Sequence, residues 1–122
     1  MAKIDDVMQE FLSSVDEVLM SMIVNLDDAI PITGHTTDES IDVSIPLAYL
    51  TEVARKAMSA TENANLGVCE DVLLTTNEHF IIIRIIPDSN YVHIVVLTRK
   101  GNWGVTKITM GKFATKFREA LP

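Results

Sequence analysis

The residues of this chain that could do chemistry are three histidines, one cysteine, two glycines near a lysine and a pair of adjacent aspartates. His35, His79 and His93 fall on what reads as a loop, a turn and a strand, with no pair at i, i+4, and Cys69 has no second cysteine beside it. A zinc site needs several N or S ligands converging at short spacings, so no metal set is expected. Gly104 and Gly111-Lys112 superficially suggest a phosphate loop, but six residues separate the glycines, Phe113 stands where Ser or Thr should hold the metal, and no loop follows a strand. These glycines read instead as places where a helix crosses a sheet closely. Asp27-Asp28 resembles a calcium loop in charge alone, because Pro31 and Thr33 occupy later ligand positions. The serines and Cys69 lack a nucleophile elbow, so neither an enzyme nor a cofactor is expected. One polar pairing stands out, Arg84 with His93, inside two otherwise apolar runs. It either binds an acidic group of a partner or lies at the exposed end of a sheet, and the exposed end is the expectation.

The elements that must position these residues follow from periodicity. Ile4, Val7, Met8, Phe11, Leu12 and Val15 form one helical stripe, which predicts helix α1 over Ile4 to Val15. Val18 to Val24 reads as strand β1. Asn25 to Asp28 supplies turn formers, and Ala29 to Thr36 reads as β2. Pro31 cannot donate to a ladder, so β2 should be an edge strand, and Gly34 should mark a bulge. His35 to Ser44 reads as the substantial loop. Pro46 suits a first helical turn, and α2 is predicted from Pro46 to Thr61 with Leu47, Leu50, Ala54 and Met58 on one row and Val53, Ala57 and Ala60 widening it. So wide a face suits contact beyond the chain's own sheet, although alanines also serve simply as good helix formers. Gly67 permits a left-handed turn into β3, Val68 to Thr76. A tight turn at Asn77-Glu78 leads to β4, Phe80 to Ile86, and β5 follows over Tyr91 to Thr98. A four-residue loop from Pro87 to Asn90 places Ile86 opposite Tyr91 and Arg84 opposite His93. Helix α3, capped by Asn102, carries Val105, Ile108, Phe113, Phe117 and Leu121 to the C-terminus.

The fold class is therefore α+β, ordered α-ββ-α-βββ-α, with one five-stranded antiparallel sheet between helices in a single domain, 1–122. Hydrophobic residues make up 48% and charged residues 22%, ordinary globular usage. Seventeen acids against ten bases give a net charge of −7, which repels a phosphate backbone and argues against nucleic acid. A lone cysteine forms no intrachain disulfide and suits a reducing compartment. The acidic N-terminus lacks the apolar core of a signal peptide, and no run reaches the ~20 apolar residues of a membrane span, so the cytoplasm is expected. Met8, Met20, Met22 and Met58 read as core filling.

The hairpin Asn25-Leu-Asp-Asp-Ala-Ile-Pro-Ile-Thr-Gly34, helix α2, the meander around Phe80 to Leu97 and the entry Gly101-Asn-Trp-Gly-Val105 into α3 together resemble a Roadblock-type domain of the dynein light-chain Roadblock family. The resemblance covers about Ile4 to Leu121, and Asn102-Trp103-Gly104 is its most specific short piece. It implies a three-layer Roadblock/profilin-like fold, with α2 on one face of the sheet and α1 with α3 on the other. It further implies a homodimer or heterodimer through α2 and β3, here Leu47, Leu50, Ala54, Met58, Val68, Glu70, Val72 and Leu74. Pairing two β3 edges across a twofold axis would also satisfy an otherwise open strand. The implied role is a non-catalytic regulator or scaffold of a Ras-like small GTPase, which Tyr49, Glu52, Arg55 and Lys56 would contact, reordering its switch regions. Ala29 stands where many members have glycine. Competing readings are a small-molecule sensor, for which the chain offers chiefly Arg84 and His93, and a structural adaptor that binds regardless of nucleotide state.

Overall fold

A computed structural model describes residues 3–122; Met1 and Ala2, at the head of the acidic N-terminus, lie outside the described residues. Among the described residues the elements run α1 (Ile4–Leu12), β1 (Val18–Asn25), β2 (Pro31–Thr36), α2 (Ser44–Asn63), β3 (Asp71–Thr75), β4 (His79–Ile85), β5 (Tyr91–Thr98) and α3 (Trp103–Ala120). The strands form one antiparallel sheet in the order β2-β1-β5-β4-β3, so β2 and β3 are its two edges. The expected α+β architecture and element order are present.

Strand alternation sends each strand's side chains to two separate cores. Ile23, Ile82, Val95 and Leu97 face a layer made by Val7, Met8 and Phe11 of α1 and Met110, Phe113 and Phe117 of α3. Met20, Met22, Val24, Ile83, Val92 and Ile94 face the other way, toward Leu47 and Ala54 of α2. The β4–β5 register follows from the loop between them: Ile86 N–H donates to the Tyr91 carbonyl at 3.1 Å, and Arg84 lies opposite His93 as the sequence predicts.

Several expectations are corrected. The bulge lies at Ile23/Val24, where Pro31 interrupts the ladder, and not at Gly34. Gly34 is glycine because Met22 lies across it, and a Cβ there would also stand 2.8 Å from the Ser21 carbonyl. Helix α1 stops before Val15. Helix α2 begins two residues early, with the Asp42 carboxylate accepting from the Ser44 N–H at 2.9 Å, and ends two residues late. Strand β3 is shorter than expected, since Val68, Cys69 and Glu70 precede it, although the Glu70 carbonyl accepts from Ile85 N–H at 3.0 Å. Gly67 does adopt a positive φ of 102°, as its position after α2 requires. Val105 and Ile108 do not join the core stripe of α3; Thr106 and Met110 take the inward positions. Gly104 meets only the Asn102 side chain, so it is no helix–sheet crossing point, whereas Gly111 sits over the Arg84 guanidinium, 3.8 Å from a Cβ built there.

Candidate functional site

Helix α2 divides the residues expected at its contact face into two groups. Leu47 and Ala54 are fully buried against Met22, Ile83 and their neighbours, so the chain's own sheet takes them and neither is available to a second copy. Leu50 and Met58 are half-buried at the border of that core. The physical reason is the helical wheel: positions seven apart return to one line, and that line is the one pressed on the sheet. Thr51 completes it, buried with its hydroxyl donating to the Leu47 carbonyl at 2.9 Å.

What remains outside is nevertheless apolar. Tyr49 is 72% exposed, and Ile45, one turn earlier, is similarly open. Past the end of α2, Leu66 and Val68 are 77% and 91% exposed. Val68, Gly67 and Cys69 line a groove of about 410 Å³ together with Met58, Glu62 and Asn65. Strand β3 then runs on as an edge, paired to β4 on one side and unpaired on the other among the described residues. Val72 and Leu74 are half-buried on that edge, and Glu70 is exposed. Ile45 and Leu66 went unnoticed in the sequence. Leu66 had a signal: a leucine inside a polar helix break, beside a glycine.

The polar residues of α2 form a fixed cluster. Arg55 donates from Nη1 to the Leu26 carbonyl and from Nη2 to Glu52, both at 2.7 Å, and Lys56 lies 3.9 Å from Glu52. The Arg55 hydrogen bond and charge hold the Glu52 carboxyl below the usual carboxylate range. Arg55 is therefore tied to its own β1–β2 turn rather than extended as a finger toward a partner.

The Arg84–His93 pair lies on the opposite face of the sheet, and the exposed-end reading of it is wrong. His93 is 1% exposed, with the rings of Phe11 and Phe117 packed edge-on at 4.6 and 4.9 Å. Its Nε2 lies 2.8 Å from Ser21 Oγ, which itself donates to Met8 Sδ at 3.2 Å. Ser21 Oγ is the ring's hydrogen-bond partner, and Nδ1 has none among the described residues. Burial without a counter-charge lowers the His93 pKa to about 3, so the ring is neutral. Arg84 points outward along the same row to Asp71 at 3.4 Å, and Lys107 of α3 reaches Asp71 from the other side at 3.5 Å. The pair thus fastens α1 and α3 to the sheet. Neither residue lines the apolar cleft of about 450 Å³ beside the α2 N-terminus, where Met20, Ile41, Val43, Pro46 and Val96 lie with Asp38 and His79. The two residues on which the sensor reading rested do not form a ligand site there.

Cys69 is half-buried, and burial together with Asp71 raises its thiol pKa, the opposite of an activated nucleophile. No group of three or more His, Cys, Asp or Glu that could hold a metal occurs among the described residues, and no helix there is long and apolar enough to cross a membrane.

No family model matches the sequence, and no curated protein does. Solved structures do match. A Roadblock/LC7 domain from Streptomyces avermitilis superposes with a TM-score of 0.82 at 14% identity, covering 97% of both chains. MglB of Myxococcus xanthus gives 0.82 at 13% identity over 97% of this chain and 96% of its own. An MglB with a tetrameric arrangement gives 0.81 at 9% identity over 97% and 90%. At these identities the likeness lies in the path of the backbone. With the strand order, the split of helices between two faces and the Asn102 cap all in place, the chain folds as a Roadblock-type domain.

Proposed function

We propose that this chain is a dimeric, non-catalytic regulator or scaffold of a Ras-like small GTPase. Support comes from the fold shared with MglB and, above all, from one observation: the α2 side of the molecule keeps large apolar side chains in solvent next to an unpaired strand edge. Tyr49, Leu66 and Val68 are each more than 70% exposed, and β3 lacks a partner on its outer side among the described residues. Exposed apolar surface beside an open edge marks an interface. Two such edges related by a twofold axis would pair, covering Val68, Val72 and Leu74, while Leu50 and Met58 border the contact. The GTPase would then rest on the outer surface of the paired α2 helices, against Tyr49, Glu52 and Lys56. Arg55, already tied to the Leu26 carbonyl, favours holding and ordering a partner's switch segments over insertion into its phosphate site.

The test is solution mass by light scattering on wild type and on Val68→Glu, followed by binding to Ras-like GTPases of the same genome loaded with GTP or GDP. The expected result is twice the 13.5 kDa chain mass, a folded monomer for Val68→Glu, and GTP-dependent binding by the dimer that Tyr49→Glu abolishes. Binding indifferent to nucleotide would make the protein an adaptor. A wild-type monomer that binds no GTPase at micromolar concentration would overturn the proposal.

A further inference from the structure

Helix α3 is apolar on two sides. Its inner side closes the core, but Val105 and Ile108 are 54% and 61% exposed, and Trp103 at the helix start is 42% exposed. Val105, Ile108 and Lys112 stand at i, i+3 and i+7, a short seam along the outward ridge of the helix. This ridge lies on the α1/α3 face of the sheet, away from α2, so it is independent of the interface proposed above.

Charge is just as unevenly placed. Residues 99–122 carry six Lys and Arg against Glu119 alone, a net +5, while residues 1–98 carry four bases against sixteen acids, a net −12. On α3 itself Lys116 makes an exposed pair with Glu10 and Lys107 a pair with Asp71; Lys112, inside the apolar seam, has no ion pair among the described residues. An exposed pair contributes little and exchanges readily for another carboxylate. A helix face that joins two aliphatic anchors to an unpaired cation, on a molecule otherwise strongly negative, complements one kind of surface: apolar with acids beside it. A helix laid alongside α3 forms one continuous seam with residues at i, i+3 and i+7 and so reaches Val105, Ile108, Lys112 and Lys116 together. A second α3 fits poorly, since it would bring the same cations, and a nucleic acid would face the −12 remainder of the chain.

We propose that the outer ridge of α3 is a docking site for an acidic amphipathic helix of a partner protein. Val105 and Ile108 insert into the partner's apolar seam, and Lys112 and Lys116 meet its carboxylates. Trp103, two residues before Val105, lies about 160° from it around the helix, on the side of Thr106 and Met110, so binding is read from a label on the probe instead. The probe is a synthetic three-heptad helix with leucine at the seam and glutamate beside it, fluorescein-labelled and followed by anisotropy as the full chain is titrated in. The same peptide with lysine for glutamate serves as the control. The acidic peptide is expected to bind and the basic one not. Val105→Glu with Ile108→Glu should weaken binding about thirtyfold or more while leaving the melting curve unchanged, because both side chains are exposed. Lys112→Glu should weaken the acidic peptide about tenfold and improve the basic one, a reversal that loss of folding would not produce. Three results overturn the proposal: no acidic-peptide binding at several hundred micromolar, equal binding of both peptides, or co-sedimentation of the chain with phosphatidylserine vesicles, lost in the Val105→Glu, Ile108→Glu variant, in place of peptide binding, which would make the ridge a membrane contact. Each reads separately from the α2 interface, since Val68→Glu should leave peptide binding intact.

Discussion

The two faces of the sheet are finished to different degrees. On the α1/α3 face, three phenylalanines and a histidine close over one another, and among the described residues the buried side-chain polar atoms without a partner are Arg84 Nε and His93 Nδ1. On the α2 face a single helix covers the sheet, and its flank leaves Ile45, Tyr49, Leu66 and Val68 in water. The first face buries its aromatic side chains between helices and sheet, and the second leaves large apolar side chains exposed beside its one helix. Within α2 itself the same contrast operates residue by residue, which makes paired substitutions the sharpest way to test it. Ala54→Asp should unfold the protein outright, since a carboxylate pressed against Ile83 and Ile94 has no partner and its burial costs several kcal/mol, about the whole stability of a small domain. Tyr49→Asp, five residues earlier on the open side, should shift the urea midpoint by less than about 0.5 kcal/mol equivalent. If the two variants unfold alike, the division of α2 into a closed and an open side is wrong.

The closed face should also respond to acid where the open face does not. His93 has its pKa depressed by burial, so the folded state resists a proton that the unfolded chain accepts at about 6.5. Its contribution to stability is fully present above pH ~6.5 and is lost as pH falls from there toward the folded pKa of about 3. The slope is on the order of 1 kcal/mol per pH unit, read most cleanly between pH 6.5 and 5, where carboxylates remain ionised. Urea denaturation across that window should show it in wild type, and His93→Leu should flatten it whatever its effect at neutral pH. A wild-type curve that is flat over the window would mean that the ring is reached by solvent.

How much of this was legible in the sequence depended on what hid each position. The hairpin register was readable because a four-residue loop leaves one pairing, and Arg84 does face His93. The depth of His93 was not, since a strand pattern does not say which other elements cover a face, and the cover comes from Phe11 and Phe117, far away in the chain. Buried threonines hid two helix faces. Thr51 and Thr106 each donate to the carbonyl four residues back, at 2.9 and 2.8 Å, and so lie satisfied in the core while reading as polar. With Thr106 reading as polar, the apolar spacing of α3 runs through Val105 and Ile108, which face solvent in the fold. Among the residues that the resemblance assigns to a dimer contact, Val68, expected inside β3, lies before it and is 91% exposed, whereas Leu47 and Ala54 are buried on the chain's own sheet, because periodicity alone does not say which part of a wide helix face that sheet takes.

Gly34→Ala tests whether the α2 face is close-packed where β1 and β2 carry it. Met22 lies over Gly34, and its flexible thioether can move aside, but the Ser21 carbonyl 2.8 Å from the new Cβ is backbone and can yield only with its strand. A cost of about 1–3 kcal/mol follows, with β2, an edge strand, as the part that loosens. Amide exchange should show the loss first in Gly34 to Thr36 and leave β4 and β5 protected. Uniform loss of protection would instead place Gly34 in the common core.

The smallest expected effect has the opposite sign. Ala29 closes the β1–β2 hairpin at φ 59°, its N–H donating to the Asn25 carbonyl at 2.9 Å, in a left-handed conformation that strains any residue bearing a Cβ. The Roadblock resemblance puts glycine here in many members, and the backbone explains that preference without appeal to function. Ala29→Gly removes the strain, about 1 kcal/mol, but also gives the unfolded chain more freedom, which returns part of it. The net should be a stabilisation of up to about 0.5 kcal/mol, with the oligomeric state unchanged. Ala29→Val, by contrast, should destabilise by about 1 kcal/mol or more, because a β-branched side chain tolerates this region least. Equal midpoints for glycine, alanine and valine would show that the hairpin has relaxed out of the left-handed turn, and that the edge it forms is softer than its hydrogen bonds suggest.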